Sequence, residues 1–208
     1  MKSIRDIFRS YAEFNDDGKH INGTDKESNH HYGDAYESLF VSTVLQDFRI
    51  TETQTEPVHV LVSTRNSVKL VMEIGIADGS CLRAWREVFP NALIVGMDIH
   101  GSDKAHGDRI EFNYGDLRNR EHCETVAAGR SFDLIIDDAT HHISDVLLTM
   151  FWMWPYVAPG GLYVVEDWDV ASFDKNRICS LWPYVKIINT RSPFMQDEPL
   201  VVFRKPLR

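Results

Sequence analysis

Two apolar runs in this chain end in carboxylates, and the chemistry such ends can do frames the rest of the sequence. Phe132-Asp133-Leu134-Ile135-Ile136 leads into Asp137-Asp138-Ala139-Thr140-His141-His142, and Gly160-Gly161-Leu162-Tyr163-Val164-Val165 leads into Glu166-Asp167. β-Branched apolar runs of this length read as buried strands. In an open parallel sheet, ligands sit beyond the carboxyl ends of the strands. Neighbouring strands lie about 5 Å apart, so Asp138, Glu166 and Asp167 can reach one ion, and without a cation they would repel one another. Oxygen donors with no cysteine among them suit Mg²⁺, or Mn²⁺ in its place. Such an ion steadies negative charge developing on a hydroxyl oxygen. His141, just past Asp138, has an ordinary pKa of ~6.5 and suits a proton acceptor at neutral pH. The adjacent His142 could do the same, and one of the two suffices; His141 is taken as the base. Strand-tip acids also cap helices, a reading that weighs more on Asp137 than on the trio.

The elements that must position these residues can be read in order. Ile4, Ile7, Phe8 and Tyr11 give residues 3–14 one helical face. Residues 15–26, rich in Asn, Asp and Gly, read as loop. Ser28-Asn29-His30-His31-Tyr32 is either a solvated linker or a lid over the crevice. A second helix is predicted from about Tyr32 to Phe48. Residues 51–67 read poorly: Val58–Val62 fits a strand or the end of a helical connection interrupted by Pro57. From Lys69 the pattern is regular, with strands at 70–74, 93–98, 110–114, 132–136 and 162–165. Helices are predicted over 79–89, over 119–128, and after Ser144, the expected N-cap of a helix carrying Leu147, Leu148, Phe151 and Trp154. Strands alternating with helices imply βαβ units. Residues 184–188 and 200–203 read as two strands with no helix between them, which pair most simply antiparallel.

A cofactor signature lies where the first regular strand meets its helix, in Glu73-Ile74-Gly75-Ile76-Ala77-Asp78-Gly79-Ser80. Glycines there admit a ligand close to the backbone, and the helix N-terminus adds partial positive charge. Asp98, ending the second strand, is placed to accept hydrogen bonds from ribose hydroxyls. Glu73 would repel a pyrophosphate but suits the ammonium of a zwitterionic cofactor, which favours S-adenosylmethionine over a nicotinamide cofactor. Gly115-Asp116-Leu117 puts a polar group where an adenine would lie, although Asp116 is also an ordinary turn residue. Trp152, Trp154 and Trp168 read as core, with Trp168 the best placed to face an acceptor.

On these motifs the chain resembles a class I S-adenosylmethionine-dependent methyltransferase over residues 69–167. It resembles more narrowly the metal-dependent sugar O-methyltransferases of the macrocin and mycinamicin types. The segments that carry the resemblance are Gly23-Thr24-Asp25-Lys26 with His31-Tyr32 and Tyr36-Glu37, Glu73-Ile74-Gly75, Trp85 with Phe89-Pro90-Asn91-Ala92, Asp137-Asp138-Ala139-Thr140-His141, and Pro159-Gly160-Gly161 with Glu166-Asp167. The family commonly has Gly-Ser where this chain has Ala139-Thr140, and some relatives carry a large N-terminal auxiliary domain. The resemblance implies an α/β, Rossmann-like fold. Its sheet would be seven-stranded and mostly parallel, with a C-terminal antiparallel hairpin and helices on both faces. It implies a cofactor site drawn from Glu73, Gly75, Gly79, Ser80, Asp98, Ile99, Asp116, Leu117, Asp137, Asp25, Lys26 and Tyr32. It places metal ligands at Asp138, Glu166 and Asp167 and the base at His141. It also implies a hydroxyl-bearing small-molecule acceptor, most simply a sugar or polyol of a glycosylated natural product, and self-association.

Composition narrows the partners. A net charge of −9, spread without blocks, leaves no basic stripe for nucleic acid. The longest apolar patch, Met150 to Val165, is broken by prolines and glycines and cannot be one spanning helix. No signal-peptide core is seen at Met1–Asp6, and Cys81, Cys123 and Cys179 read as reduced thiols. The chain is thus expected to be cytoplasmic, away from membranes. It is expected to be one domain over 1–208, with an N-terminal helical or lid segment (1–56) and a catalytic core (69–208). A catechol or phenol acceptor and a non-catalytic S-adenosylmethionine-binding protein remain as alternatives, and a nicotinamide dehydrogenase fits least.

Overall fold

The alternating apolar runs assemble into one sheet in the computed structural model of the chain, which describes residues 1–16, 19–40, 64–168, 182, 184–190 and 199–207. In chain order the elements are α1 (Ile4–Ser10), β1 (Ala12–Phe14), β2 (His20–Gly23), α2 (Tyr32–Phe40), β3 (Leu70–Ile74), α3 (Ser80–Val88), β4 (Leu93–Asp98), β5 (Ile110–Tyr114), α4 (Arg120–Ala127), β6 (Phe132–Asp137), α5 (Ile143–Met153), β7 (Val157–Val165), β8 (Val185–Asn189) and β9 (Pro199–Arg204). The sheet order is β5-β4-β3-β6-β7-β9-β8. β5 through β7 are parallel, and β9 runs antiparallel to both β7 and β8. The seven-stranded, mostly parallel sheet with a C-terminal antiparallel hairpin is the one expected from the sequence.

Strand side chains alternate between faces, and each face is covered. Val71, Ile94, Leu134, Ile136 and Val164 pack with α1, α2 and α3 in one core. Met72, Ile74, Val95, Ile135 and Val165 pack with α4 and α5 in the other. The same alternation divides the acids. Glu73 pairs in register with Ile136 and so lies on the α1–α3 face, whereas Asp137 pairs with Ile74 and lies on the α4–α5 face.

The N-terminal segment is pinned by aromatic packing. Phe8 of α1 and Tyr36 of α2 both stand edge-on to Trp85 of α3, with ring centroids 4.8 Å apart in each case, and Trp85 stacks on Phe89 at 5.8 Å. Such pairs add attraction beyond the area they bury. Ser3 caps α1, its hydroxyl accepting from the Asp6 N–H.

The structure departs from the sequence reading in three places. Residues 12–14 are strand, not the end of a helix, and pair with residues 20–23 in a hairpin where loop was expected. Both strands are largely solvent-facing, so no apolar alternation marks them. Helix α5 begins at Ile143 with His142 as N-cap, two residues ahead of Ser144. Its buried face is Val146, Thr149, Met150 and Met153; Leu147, Leu148 and Phe151 are exposed, because apolar residues surround the helix and leave its periodicity ambiguous. The expected helix from Tyr32 is described as far as Phe40, and its remainder, the 51–63 part of the unreadable stretch, and Cys179 lie outside the described residues. Trp168 is fully buried in the α4–α5 core, near Phe203. No helix among the described residues is long and apolar enough to cross a membrane.

Truncating the aromatic anchor, Trp85→Ala, is expected to lower unfolding free energy by about 3–5 kcal/mol. Phe151→Ala, at a side chain 74% exposed, should change it by no more than about 0.5 kcal/mol. Urea unfolding of the two variants measures both, and equal losses would contradict this packing.

Candidate active site

A cleft of about 370 Å³ opens at the carboxyl ends of β3, β4 and β6, where strand order reverses and open α/β sheets bind ligands. One wall is the loop between β3 and α3. Gly75 and Gly79 hold left-handed backbone there, with φ of +83° and +81°, and a Cβ on Gly75 would lie 2.3 Å from the Asp138 carbonyl oxygen. Glycine is therefore needed for the loop to press against β6. Asp98 organises this loop: its Oδ2 accepts from the Ile76 and Ala77 N–H groups at 2.9 and 3.3 Å, and its Oδ1 accepts from the His100 N–H. Oδ1 keeps a further lone pair for a ligand.

The far wall carries the acids. One ligand atom from each of Asp138, His141 and Asp167 lies within 4.8 Å of the others. His141 Nε2 is 3.4 Å from Asp138 Oδ1, close enough for Asp138 to raise the imidazole pKa. His141 and Asp167 both hold left-handed backbone, at φ of 59° and 49°. That conformation is uncommon outside glycine and collects at functional sites.

Behind this mouth, residues of the N-terminal segment grip the acids. The Lys26 ammonium, its side chain 2% exposed, lies 3.0 Å from Glu73 Oε1 and 2.9 Å from Asp138 Oδ2, and donates to Glu166 Oε2. The Tyr36 hydroxyl donates to Glu166 Oε1. The Tyr32 hydroxyl donates to Asp167 Oδ1 and accepts from the Asp167 N–H. His30 Nδ1 lies 3.1 Å from the same Oδ1 and its Nε2 lies 3.3 Å from Asp25.

The electrostatics follow from burial. Burial by itself lowers the Lys26 pKa, but Asp138, Glu166 and Glu73 outweigh it and hold the ammonium charged. Burial would likewise raise Asp138, yet Lys26 and His141 bring it down to about 2. Burial pushes Glu73 and Glu166 upward despite Lys26. Three carboxylates thus share one ammonium, and burial favours the neutral forms of Glu73 and Glu166 wherever no further positive charge reaches them. His30, lowered by burial but raised more by Asp167 and Asp25, is pushed up to about 11.

Of the residues read as cofactor-binding, Asp25, Lys26, Gly75, Asp98, Ile99, Asp116 and Leu117 line the cleft, as do the metal and base candidates Asp138, His141 and Asp167. The others stand behind it. Glu73 faces Lys26 within the core. Gly79 packs on Ser102 and Ala105. Ser80 is buried and hydrogen-bonds Asp78, and Tyr32 serves Asp167. Asp137, on the opposite face, accepts from the Tyr163 hydroxyl at 2.7 Å, and burial pushes it up to about 7. Glu166 is 1% exposed and meets Lys26 and Tyr36 instead of the open mouth. Asp116 is forked by Arg118, both contacts at 3.0 Å. Sequence reasoning did not find His30 and Tyr36 as acid partners, since their contacts span more than a hundred residues of chain; their signal was their place in the motif-bearing N-terminal segment.

Comparison with known proteins agrees with this geometry. No protein-family model matches the chain. It is 39% identical over 112 residues to the demethylmacrocin O-methyltransferase of Streptomyces fradiae and 38% identical over 113 residues to the mycinamicin VI 2''-O-methyltransferase of Micromonospora griseorubida. Each match covers 50% of this chain and 28% of the relative, so the chain spans less than a third of the length of these curated relatives. The MycE methyltransferase of the mycinamycin biosynthetic pathway, solved with Mg and SAH, aligns over 99% of this chain and 55% of its own, with a TM-score of 0.64 at 22% identity. A MycE structure with Mg, SAH and mycinamycin VI aligns over 69% of this chain and 43% of its own, with a TM-score of 0.52 at 28% identity. The resemblance to macrocin- and mycinamicin-type sugar O-methyltransferases holds, and the fold is that of a class I methyltransferase.

Removing the Tyr36 hydroxyl, in Tyr36→Phe, takes a donor from a buried carboxylate and should cost about 1.5–3 kcal/mol of stability. Urea unfolding tests this, and a loss below about 0.5 kcal/mol would mean the hydroxyl is not gripping Glu166.

Proposed function

We propose that the chain carries an S-adenosylmethionine- and Mg²⁺-dependent O-methyltransferase centre acting on a hydroxyl of a small molecule, most simply a sugar of a glycosylated natural product. The observation that carries this reading is that the glycine loop with Asp98 and the Asp138–His141–Asp167 group line one cleft. The relatives support it, being named as O-methyltransferases of macrolide pathways, and MycE is described with Mg, SAH and a macrolide.

The residues fit the groups this chemistry needs. Gly75, Asp98, Ile99, Asp116 and Leu117 would hold the nucleoside end of the cofactor, with Asp25 at the rim. Asp138, Glu166 and Asp167 would hold the cation; their oxygens suit a hard ion. When bound, S-adenosylmethionine supplies an electrophilic methyl group, and Mg²⁺ (or Mn²⁺) supplies positive charge for the oxygen that attacks it.

The chain's own residues do the rest. The His141 imidazole would accept the proton of the acceptor hydroxyl as its oxygen takes the methyl group, and Asp138, facing its Nε2, would steady the imidazolium so formed. Tyr32 and His30 fix one oxygen of Asp167, leaving the other to face the cleft. Holding acceptor oxygen and methyl group in line would lower the barrier further.

Asp138→Ala is expected to abolish metal-dependent transfer and leave S-adenosylhomocysteine binding, measured by calorimetry, within a few-fold of wild type. His141→Ala should lower kcat by about 10²- to 10⁴-fold with little change in cofactor affinity. The assay is methyl transfer to a panel of glycosylated macrolides and catechols, with Mg²⁺ or with excess EDTA. Full activity in EDTA would refute the metal role, preference for catechols would move the acceptor class, and cofactor binding with transfer to nothing would leave a binding protein.

A further inference from the structure

Lys26 is fully buried, and its ammonium sits among oxygens that the metal reading needs. It lies 2.9 Å from Asp138 Oδ2 and 3.0 Å from Glu73 Oε1, and donates to Glu166 Oε2. Three of the trio's other four oxygens are engaged as well. Asp138 Oδ1 faces His141 at 3.4 Å, Glu166 Oε1 accepts from Tyr36, and Asp167 Oδ1 accepts from Tyr32. A divalent ion that takes both Asp138 and Glu166 therefore either takes the oxygens that Lys26 holds or binds the same two carboxylates through their other oxygens, beside its ammonium. Ammonium and ion cannot share those oxygens at contact distance without strong like-charge repulsion in a site this dry.

We infer that Lys26 is an internal competitor for the divalent cation, so that metal uptake proceeds by exchange of its ammonium for the ion. The lysine has a route out. It lies on the turns joining β2 to α2, between Gly23 and His31, which both hold left-handed backbone with φ of 83° and 58°. Its neighbour Asp25 lines the cleft. Lys26 also lies 5.9 Å from the Trp85 ring, an attraction that helps retain it when the ion is not bound. Exchange would make loading of the metal and the position of the 24–31 segment one event, in which the same segment supplies His30, and leads into Tyr32, at Asp167. This rests on the metal reading above.

Two measurements on the purified chain test it. Mn²⁺ is titrated into wild type and Lys26→Met, with free Mn²⁺ read by electron paramagnetic resonance. The variant, relieved of the competing charge, should bind at least tenfold more tightly. Should Lys26→Met fail to fold, Lys26→Met/Glu73→Gln is compared with Glu73→Gln and the same tenfold gain is expected. Separately, amine acetylation followed by mass spectrometry should find Lys26 protected in EDTA and labelled at least tenfold faster at saturating Mg²⁺, with exposed Lys2 labelled equally in both. Equal or weaker Mn²⁺ binding by the variant, or protection of Lys26 with the ion bound, overturns the exchange and leaves the metal reading standing. Mn²⁺ uptake by neither protein overturns the metal reading, and the exchange with it.

Discussion

The structure turns on one charge balance: the ammonium of Lys26 among the buried carboxylates of Glu73, Asp138 and Glu166. Moving ions from water into a protein interior costs several kcal/mol each, recovered only when opposite charges and hydrogen bonds close around them. Here the acids come from the tips of β3, β6 and β7, and the cation from the turn before α2. The N-terminal segment is thus more than a cover. It supplies the charge and the hydroxyls that make three strand tips compatible in one small volume.

Two other features make this balance possible. The Phe8–Tyr36–Trp85–Phe89 cluster fixes α1 and α2 on α3, so that Lys26, Tyr32 and Tyr36 arrive at the carboxyl ends of the central strands in a defined place. The pleat of the strands puts Glu73 on the face where the segment lies and Asp137 on the other. Asp137 is adjacent to Asp138 in sequence yet finds its partner in Tyr163, on the opposite side of the sheet.

Much of this was legible from residues alone, and what was not has physical causes. The strands 70–74 and 93–98 announced themselves because both of their faces are buried, which leaves nearly continuous apolar runs, whereas 110–114, half-buried and ending in an exposed Tyr114, alternates apolar and polar residues and reads more weakly. The hairpin at 12–23 did not, because its strands face water and carry no alternation. The acid tips and His141 were legible because strand ends in a parallel sheet share a location. Glu73 read as a partner for a cofactor's ammonium; the structure gives it an ammonium from within the chain. No local pattern could show that, since Lys26 and Glu73 meet only through the tertiary fold. The outward-facing Leu147, Leu148 and Phe151 of α5 show the same limit from the other side, where apolar residues all round a helix hide which face is buried.

The contacts that close the site also set when it can exist during folding. Lys26 and Glu166 are 140 residues apart in sequence, Tyr32 and Asp167 135, and Tyr36 and Glu166 130. Closing loops of that length costs entropy before any contact repays it, and contacts of such range form slowly. The segment that carries Lys26, Tyr32 and Tyr36 therefore cannot complete its grip until the fifth parallel strand has brought Glu166 and Asp167 into place. Until then those side chains belong to an unfinished surface, and the charge balance at the carboxyl ends of the central strands is among the last parts of the molecule to close.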